Sequence, residues 1–232
     1  QPVAEIGKIA HEKGILFHTD AVQAFGHLRI NVDELNIDML SASGHKFHGP
    51  KGAGIMYIRN SVKLEPLIHG GAQERKRRAG THNVPGIVGM GAAIELADKN
   101  LKANAEKEIA IRDHLIERVM KEIPHVKLNG HKTNRLPNNA NFSFSFIEGE
   151  SMLMMLDAKG ICCSSGSACT SGSLDPSHVL IAIGLPHEIA HGSLRLSVGD
   201  ETTEEDVDYV VEVLPPIIQR LRDMSPLYEG VE

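Results

Sequence analysis

Two short apolar runs, IDMLSAS and AGIMYIRN, flank the glycine-rich stretch GHKFHGPKG between Ile37 and Asn60. Each run has the length and composition of a buried strand, and the glycines between them suit a tight turn with close backbone approach. An earlier run, ILF, reads as a further short buried strand ending near HTDAVQ. In front of it, Val3, Ile6, Ile9 and Ala10 recur at helical spacing, with Pro2 near the first helical position and Gly14 as a stop. VDELN reads as a helical turn, and VPGIVGMGAAIELADKN as a helix with small residues on a packing face. Strands alternating with helices point to an α/β fold with a mixed or parallel sheet.

The character changes near residue 100. A charged amphipathic helix follows from Leu101, with apolar positions at Ala105, Ile109, Leu115, Ile116, Val119 and Ile123. NFSFSFI alternates Phe142, Phe144 and Phe146 on one strand face, and EGESMLMMLDAKG reads as a helix closed by Gly160. SLRLSV is another short strand. Thr202 with Glu205 reads as a capping box for a last helix, which Pro215 and Pro216 should bend or break. Two domains are therefore expected, residues 1–100 and a smaller α+β unit over 101–232. A chain of 232 residues is long enough for both cores.

A net charge of −6 argues against a nucleic-acid platform. The local basic run ERKRRAG reads either as a solvated loop or as an anion or subunit contact. The chain's three cysteines, Cys162, Cys163 and Cys169, are clustered and odd in number, which fits a reducing, cytoplasmic setting rather than a disulfide framework. No stretch approaches a membrane span.

Several residues could carry chemistry. Asp20 sits just past an apolar strand, where α/β sheets place ligands, though such an aspartate also serves as a turn or cap residue. Gln23 lies three residues on. Ser43, His45 and Lys46 follow the next strand; the first two can donate to an anion, and the lysine suits imine chemistry. GPKGAG is not a nucleotide loop, because Lys51 precedes Gly52 and a strand rather than a helix follows. Cys169 lies in SSGSACTSGS with almost no packing side chains, and so reads as a reactive or delivering thiol. Cys162 and Cys163 read as small buried hydrophobes. Arg195, inside an apolar strand, needs a partner, either a structural carboxylate or a substrate carboxylate.

The ordered set HTDAVQ, SGHKFHGPKGAG, GGAQERKRRAGT, SSGSACTSGS and HGSLRLSVG resembles the NifS/IscS-like cysteine desulfurases, of the class-V aminotransferase family, over essentially the whole chain. The resemblance implies the fold type I of pyridoxal-phosphate-dependent transferases: the second half of the large mixed-sheet domain plus a small α+β C-terminal domain carrying the cysteine loop. It implies pyridoxal 5'-phosphate as cofactor. Lys46 would hold it as an imine, Asp20 would pair with its pyridine nitrogen, and Gln23 would bond its phenolic oxygen. Ser43 and His45 would hold the phosphate, with Thr81 reaching the phosphate of the second subunit in a homodimer. Arg195 would clamp the substrate carboxylate, and Cys169 would take sulfur from L-cysteine, releasing L-alanine. The persulfide would pass to an iron–sulfur scaffold protein or another acceptor. No resident metal is expected, Cys169 being at most a transient cluster ligand. Family members carry a substantial segment ahead of the helix that opens this chain, so a chain truncated at its front, and weak in binding the cofactor alone, is expected. A selenocysteine lyase and an inactive sulfur-relay partner are the alternatives.

Overall fold

The computed structural model describes residues 1–165 and 175–228. The chain divides into two compact units, Gln1–Ala103 and Asn104–Glu232.

The first unit opens with α1 (Val3–Glu12), which ends at Gly14 in the left-handed region, φ 65°. Three strands follow: β1 (His18–Asp20), β2 (Met39–Ser43) and β3 (Gly54–Ile58). β2 is central, parallel to β1 and antiparallel to β3. Leu40 and Ala42 point to one side and are buried with Ala21 and Ile37. The strand period of two puts Ser41 and Ser43 on the other side. The expected ILF strand is displaced: Ile15 and Leu16 are exposed, and pairing begins only at His18. Arg59 closes the connection into β2. It bonds the Asp33 carboxylate at 2.7 Å and the carbonyls of Val32 and Ile37.

One helix, α2 (Val84–Glu122), runs where two were expected, and it crosses the boundary between the units. Asn83 caps it by accepting from the Gly86 N–H at 3.2 Å. From Ala92 to Glu122 the sequence has no proline or glycine and is rich in Ala, Leu, Glu and Lys. A change of charge pattern along such a stretch gives the backbone no reason to stop.

The second unit is built on an antiparallel sheet ordered β4 (Val126–Leu128), β5 (Asn139–Phe144), β6 (Ser193–Ser197). Phe142, Phe144, Leu194 and Leu196 project into one core with α3 (Gly149–Asp157) and α6 (Glu204–Asp223). The opposite face carries Asn139, Asn141 and Ser143 across from Ser197, Arg195 and Ser193. Phe146 does not continue the phenylalanine stripe. It has left the strand with φ 69°, and its ring meets His125 and Tyr228. Two short helices, α4 (His178–Ala182) and α5 (His187–His191), lead into β6.

The capping box of α6 falls one residue later than the sequence suggested. Thr203 accepts from the Asp206 N–H at 3.1 Å, and Asp206 accepts from the Thr203 N–H at 2.9 Å. Thr202 is instead used by the Gly199 N–H. α6 also runs straight through Pro215 and Pro216. An interior proline costs about 3 kcal/mol. Val211, Leu214, Ile217, Ile218 and Leu221 around them are all buried, and burying each is worth about 1.5–3 kcal/mol. Packing therefore holds the helix together.

Candidate active site

The parallel pairing of β1 and β2 puts the carboxyl ends of both strands at one edge of the sheet. Asp20, the last residue of β1, is registered against Ser41, two residues before Ser43 ends β2. His18, Asp20, Ser41 and Ser43 therefore share one sheet face. This is where open α/β sheets hold ligands. The Asp20 carboxylate accepts from the Val22 N–H at 2.9 Å through Oδ1, which fixes its direction at the strand end. Gln23 is exposed in the turn that follows.

Past Ser43 the chain tightens into a 3-10 turn, Gly44–Phe47, which carries His45 and Lys46. The glycines make this turn possible. The Gly49 N–H donates to the Gly44 carbonyl at 2.9 Å, and the Gly44 N–H to the Ala53 carbonyl at 2.8 Å. A Cβ at Gly49 would lie 2.8 Å from the Gly44 oxygen. Phe47 is buried against Ala53, Met90 and Ala93. The turn is thus anchored beside Lys46, while Lys46 itself stays partly exposed. Lys51 belongs to the next turn, before β3. Carboxylate, hydroxyl, imidazole and primary amine are so gathered at one sheet edge. His18 was not singled out from the sequence. Its Nε2 lies 2.8 Å from the Ser41 hydroxyl, and its signal was the period of two that places it on the Asp20 face.

Thr81 lies in the exposed segment between the 3-10 turn Gln73–Lys76 and α2. Glu74, Arg75 and Lys76 all have positive φ, at 49°, 56° and 67°. Left-handed backbone without glycine is strained and tends to persist where surroundings or function require it.

In the second unit, Arg195 sits at the middle of β6, half-buried. On its free edge, β6 pairs with the root of the serine-rich loop: the Ser164 N–H donates to the Arg195 carbonyl at 3.2 Å. The Ser193 hydroxyl donates to the Ser165 carbonyl. The strand bearing Arg195 therefore also anchors the segment leading to Cys169, which lies outside the described residues. Cys162 and Cys163 are not a buried pair. Cys162 is exposed and Cys163 is half-buried. Burial pushes the Cys163 thiol up to about 11, so it stays protonated at neutral pH and is a poor nucleophile. Among the described residues, no cluster of three His, Cys, Asp or Glu side chains could hold a metal ion.

Residues 1–210 match the family described as aminotransferase class-V. The chain belongs to the class-V aminotransferase family. A relative named cysteine desulfurase IscS, from Methanosarcina thermophila, is 63% identical over 227 residues, covering 98% of this chain and 56% of that protein. A solved NifS-like protein from Rickettsia africae superposes with a TM-score of 0.85 at 33% identity, covering 94% of this chain and 57% of that one. A structure titled SspA in complex with cysteine matches with a TM-score of 0.69 at 38% identity, covering 88% of this chain and 56% of that one. The architecture is that of the fold type I transferases, to which the NifS-like proteins belong. The chain spans slightly more than half the length of the relatives it matches.

Proposed function

We propose that this chain supplies the lysine, the cysteine loop and the substrate-carboxylate site of a cysteine desulfurase dependent on pyridoxal 5'-phosphate. The observation that carries the reading is the β1–β2 register, which sets Asp20 beside the strand that delivers Ser43, His45 and Lys46. Relatives named cysteine desulfurase, and a neighbour solved with cysteine, support it.

The donor set fits the cofactor. It offers a carboxylate for a pyridinium nitrogen, an amide for a phenolic oxygen, a hydroxyl and an imidazole for a phosphate, and an amine for an aldehyde carbon. Asp20, Gln23, Ser43, His45 and Lys46 would hold it in those roles. When bound, the group supplies an electron sink next to the substrate Cα. Arg195 holds the substrate carboxylate by a charge-assisted contact. The Lys46 amine carries the proton to and from Cα. The Cys169 thiolate attacks the substrate sulfur. An S–S bond forms and the C–S bond breaks with its electron pair staying on carbon, which takes a proton and leaves as alanine. Cys169 keeps the sulfur as a persulfide for delivery to iron–sulfur cluster assembly or another acceptor. The enzyme acts as a cytoplasmic homodimer, in which Thr81 serves the partner's phosphate site.

In the cofactor-loaded protein, Lys46→Ala abolishes the visible absorbance of the bound cofactor, and Lys51→Ala leaves it. Cys169→Ser keeps the absorbance but stops release of alanine and sulfide from L-cysteine. Absorbance that survives in Lys46→Ala, or normal turnover by Cys169→Ser, would overturn the assignment.

A further inference from the structure

The sheet face that carries Arg195 also holds polar side chains with no role so far. Arg195 on β6 is registered opposite Asn141 on β5. Directly opposed residues of antiparallel strands have Cβ atoms about 4.5–5.5 Å apart on one face. The Asn141 and Arg195 side chains therefore leave the sheet side by side on the same face. The next position outward, Asn129, follows β4 and gives its N–H to the Asn141 carbonyl at 2.8 Å.

Asn129 sets the direction of the Asn141 amide. Its residue is only 4% exposed. Its Nδ2 donates to Asn141 Oδ1 at 2.7 Å and to Ser143 Oγ at 2.8 Å. On its other side, the Arg135 guanidinium donates to the Asn129 backbone carbonyl and to the His131 carbonyl. The Asn129 Oδ1 and the Arg135 Nη1 are both buried without a hydrogen-bond partner. Turning the Asn129 amide over would replace one unsatisfied buried carbonyl oxygen with two unsatisfied N–H groups, the costlier choice. The polarity then runs one way, from Asn129 to Asn141. The Asn141 Oδ1 is consumed inward, and its Nδ2 remains at the partly exposed end of the network.

A guanidinium and an amide NH2 side by side form a donor-only pair. The Arg195 side chain makes no ion pair or hydrogen bond among the described residues. A carboxylate has two acceptor oxygens and matches such a pair. We propose that Asn141 donates from Nδ2 to the substrate carboxylate alongside Arg195, and that Asn129 is the positioning residue that aims it. The inference rests on the reading that Arg195 receives that carboxylate.

The test compares two ligands on the cofactor-loaded protein, with binding read from the cofactor's visible absorbance. L-alanine has the carboxylate, and ethylamine lacks it. Asn141→Ala should weaken L-alanine about tenfold, the effect of one hydrogen bond to a charged group, and leave ethylamine within about twofold. Asn141→Asp, which sets a carboxylate against the ligand's, should weaken L-alanine further. Asn129→Asp never touches the ligand, yet it accepts from Asn141 Nδ2, turns Oδ1 outward and should reproduce the selective loss. A purely structural role would weaken both ligands alike. Equal losses for the two ligands in Asn141→Ala, or no loss, overturn the proposal. Arg195→Ala separates this from the underlying reading. If it fails to weaken L-alanine selectively, the carboxylate clamp is wrong and the inference falls with it. If it succeeds while Asn141→Ala does not, only the inference falls.

Discussion

The two units are stabilised in unequal ways. In the second, 21 buried apolar residues among the described ones, from α2, α3, β5, β6, α6 and the connections between elements, form one continuous cluster, with Val126 and Leu128 of β4 packed against it, enough for a self-supporting core. In the first, the buried clusters hold four residues each, one under β2 and one under the Lys46 turn, and Val62 and Ala79 are buried outside both. Large apolar side chains there stay at the surface: Ile9 on α1 is 54% exposed and Leu67 is 92% exposed. Among the described residues, β1 also has one neighbour in its sheet. Exposed apolar surface and an unpaired strand edge are features that proteins ordinarily cover. The unit that gathers the lysine and its companions thus leans least on its own core. The unit that carries Arg195 has one continuous core.

The sharpest way to break this comparison is to truncate one apolar side chain in each unit. Phe142 is wholly buried between the sheet and its helices. Phe142→Ala should cost about 3–5 kcal/mol, seen as faster amide hydrogen exchange throughout β5 and β6. Ile9→Ala should change the exchange of the first unit by less than about 0.5 kcal/mol. Similar losses at both positions would show that the first unit is as well packed as the second.

The legible parts of the sequence were those where local chemistry and tertiary packing agree. The apolar runs around GHKFHGPKG became β2 and β3 because the glycines can close the turn between them. The Asp20 and Lys46 neighbourhood followed from the rule that ligands sit beyond strand ends. The illegible parts were set by packing at a distance. Pro215 and Pro216 looked like breakers, yet the core side chains around them keep α6 whole. Phe146 fitted the stripe by spacing, yet a left-handed backbone carries it out of the strand to Tyr228. The Asn129–Asn141 pair was invisible because two asparagines twelve residues apart meet only once β4 and β5 have paired.

A smaller effect sharpens the contrast from the polar side. Arg222 is 1% exposed in the second unit. It donates to the carbonyls of Pro124, His125 and Ser145, at 2.7, 3.3 and 3.3 Å, and its guanidinium lies over the Tyr228 ring. Burial lowers its pKa from the usual guanidinium range, Tyr228 opposing the shift. The three carbonyls belong to the connections at one end of the sheet, before β4 and after β5, and no substitute donor is offered by an apolar side chain. Arg222→Leu should therefore cost about 1–3 kcal/mol, below Phe142→Ala, with the loss concentrated in protection of the 124–126 and 145–147 segments. A stabilised variant would mean that the buried cation is a burden rather than a clasp.

The smallest expected effect lies at the rim of the same unit, where Asp208 on α6 meets His114 and Arg118 of α2. Its Oδ1 lies 2.8 Å from His114 Nε2 and 2.6 Å from Arg118 Nη1. The hydrogen bond from His114 comes first in lowering the Asp208 pKa, and the charges of His114 and Arg118 add to it. A carboxylate whose pKa is lower folded than unfolded stabilises the fold above its unfolded pKa, about 3.9. That contribution is lost as pH falls from there through the folded value. Asp208→Asn removes the group that titrates, so it should unfold slightly more readily than the parent at pH 7. The difference should shrink below about pH 4 and should also shrink in high salt, because the pair is solvent-exposed. Urea midpoints of the two proteins at neutral pH and at low pH measure it. A gap that widens on acidification would reverse the sign and show that Asp208 is strained, not held, by its neighbours. A gap as large as that of Phe142→Ala would show that the second unit depends on its charged rim as much as on its core.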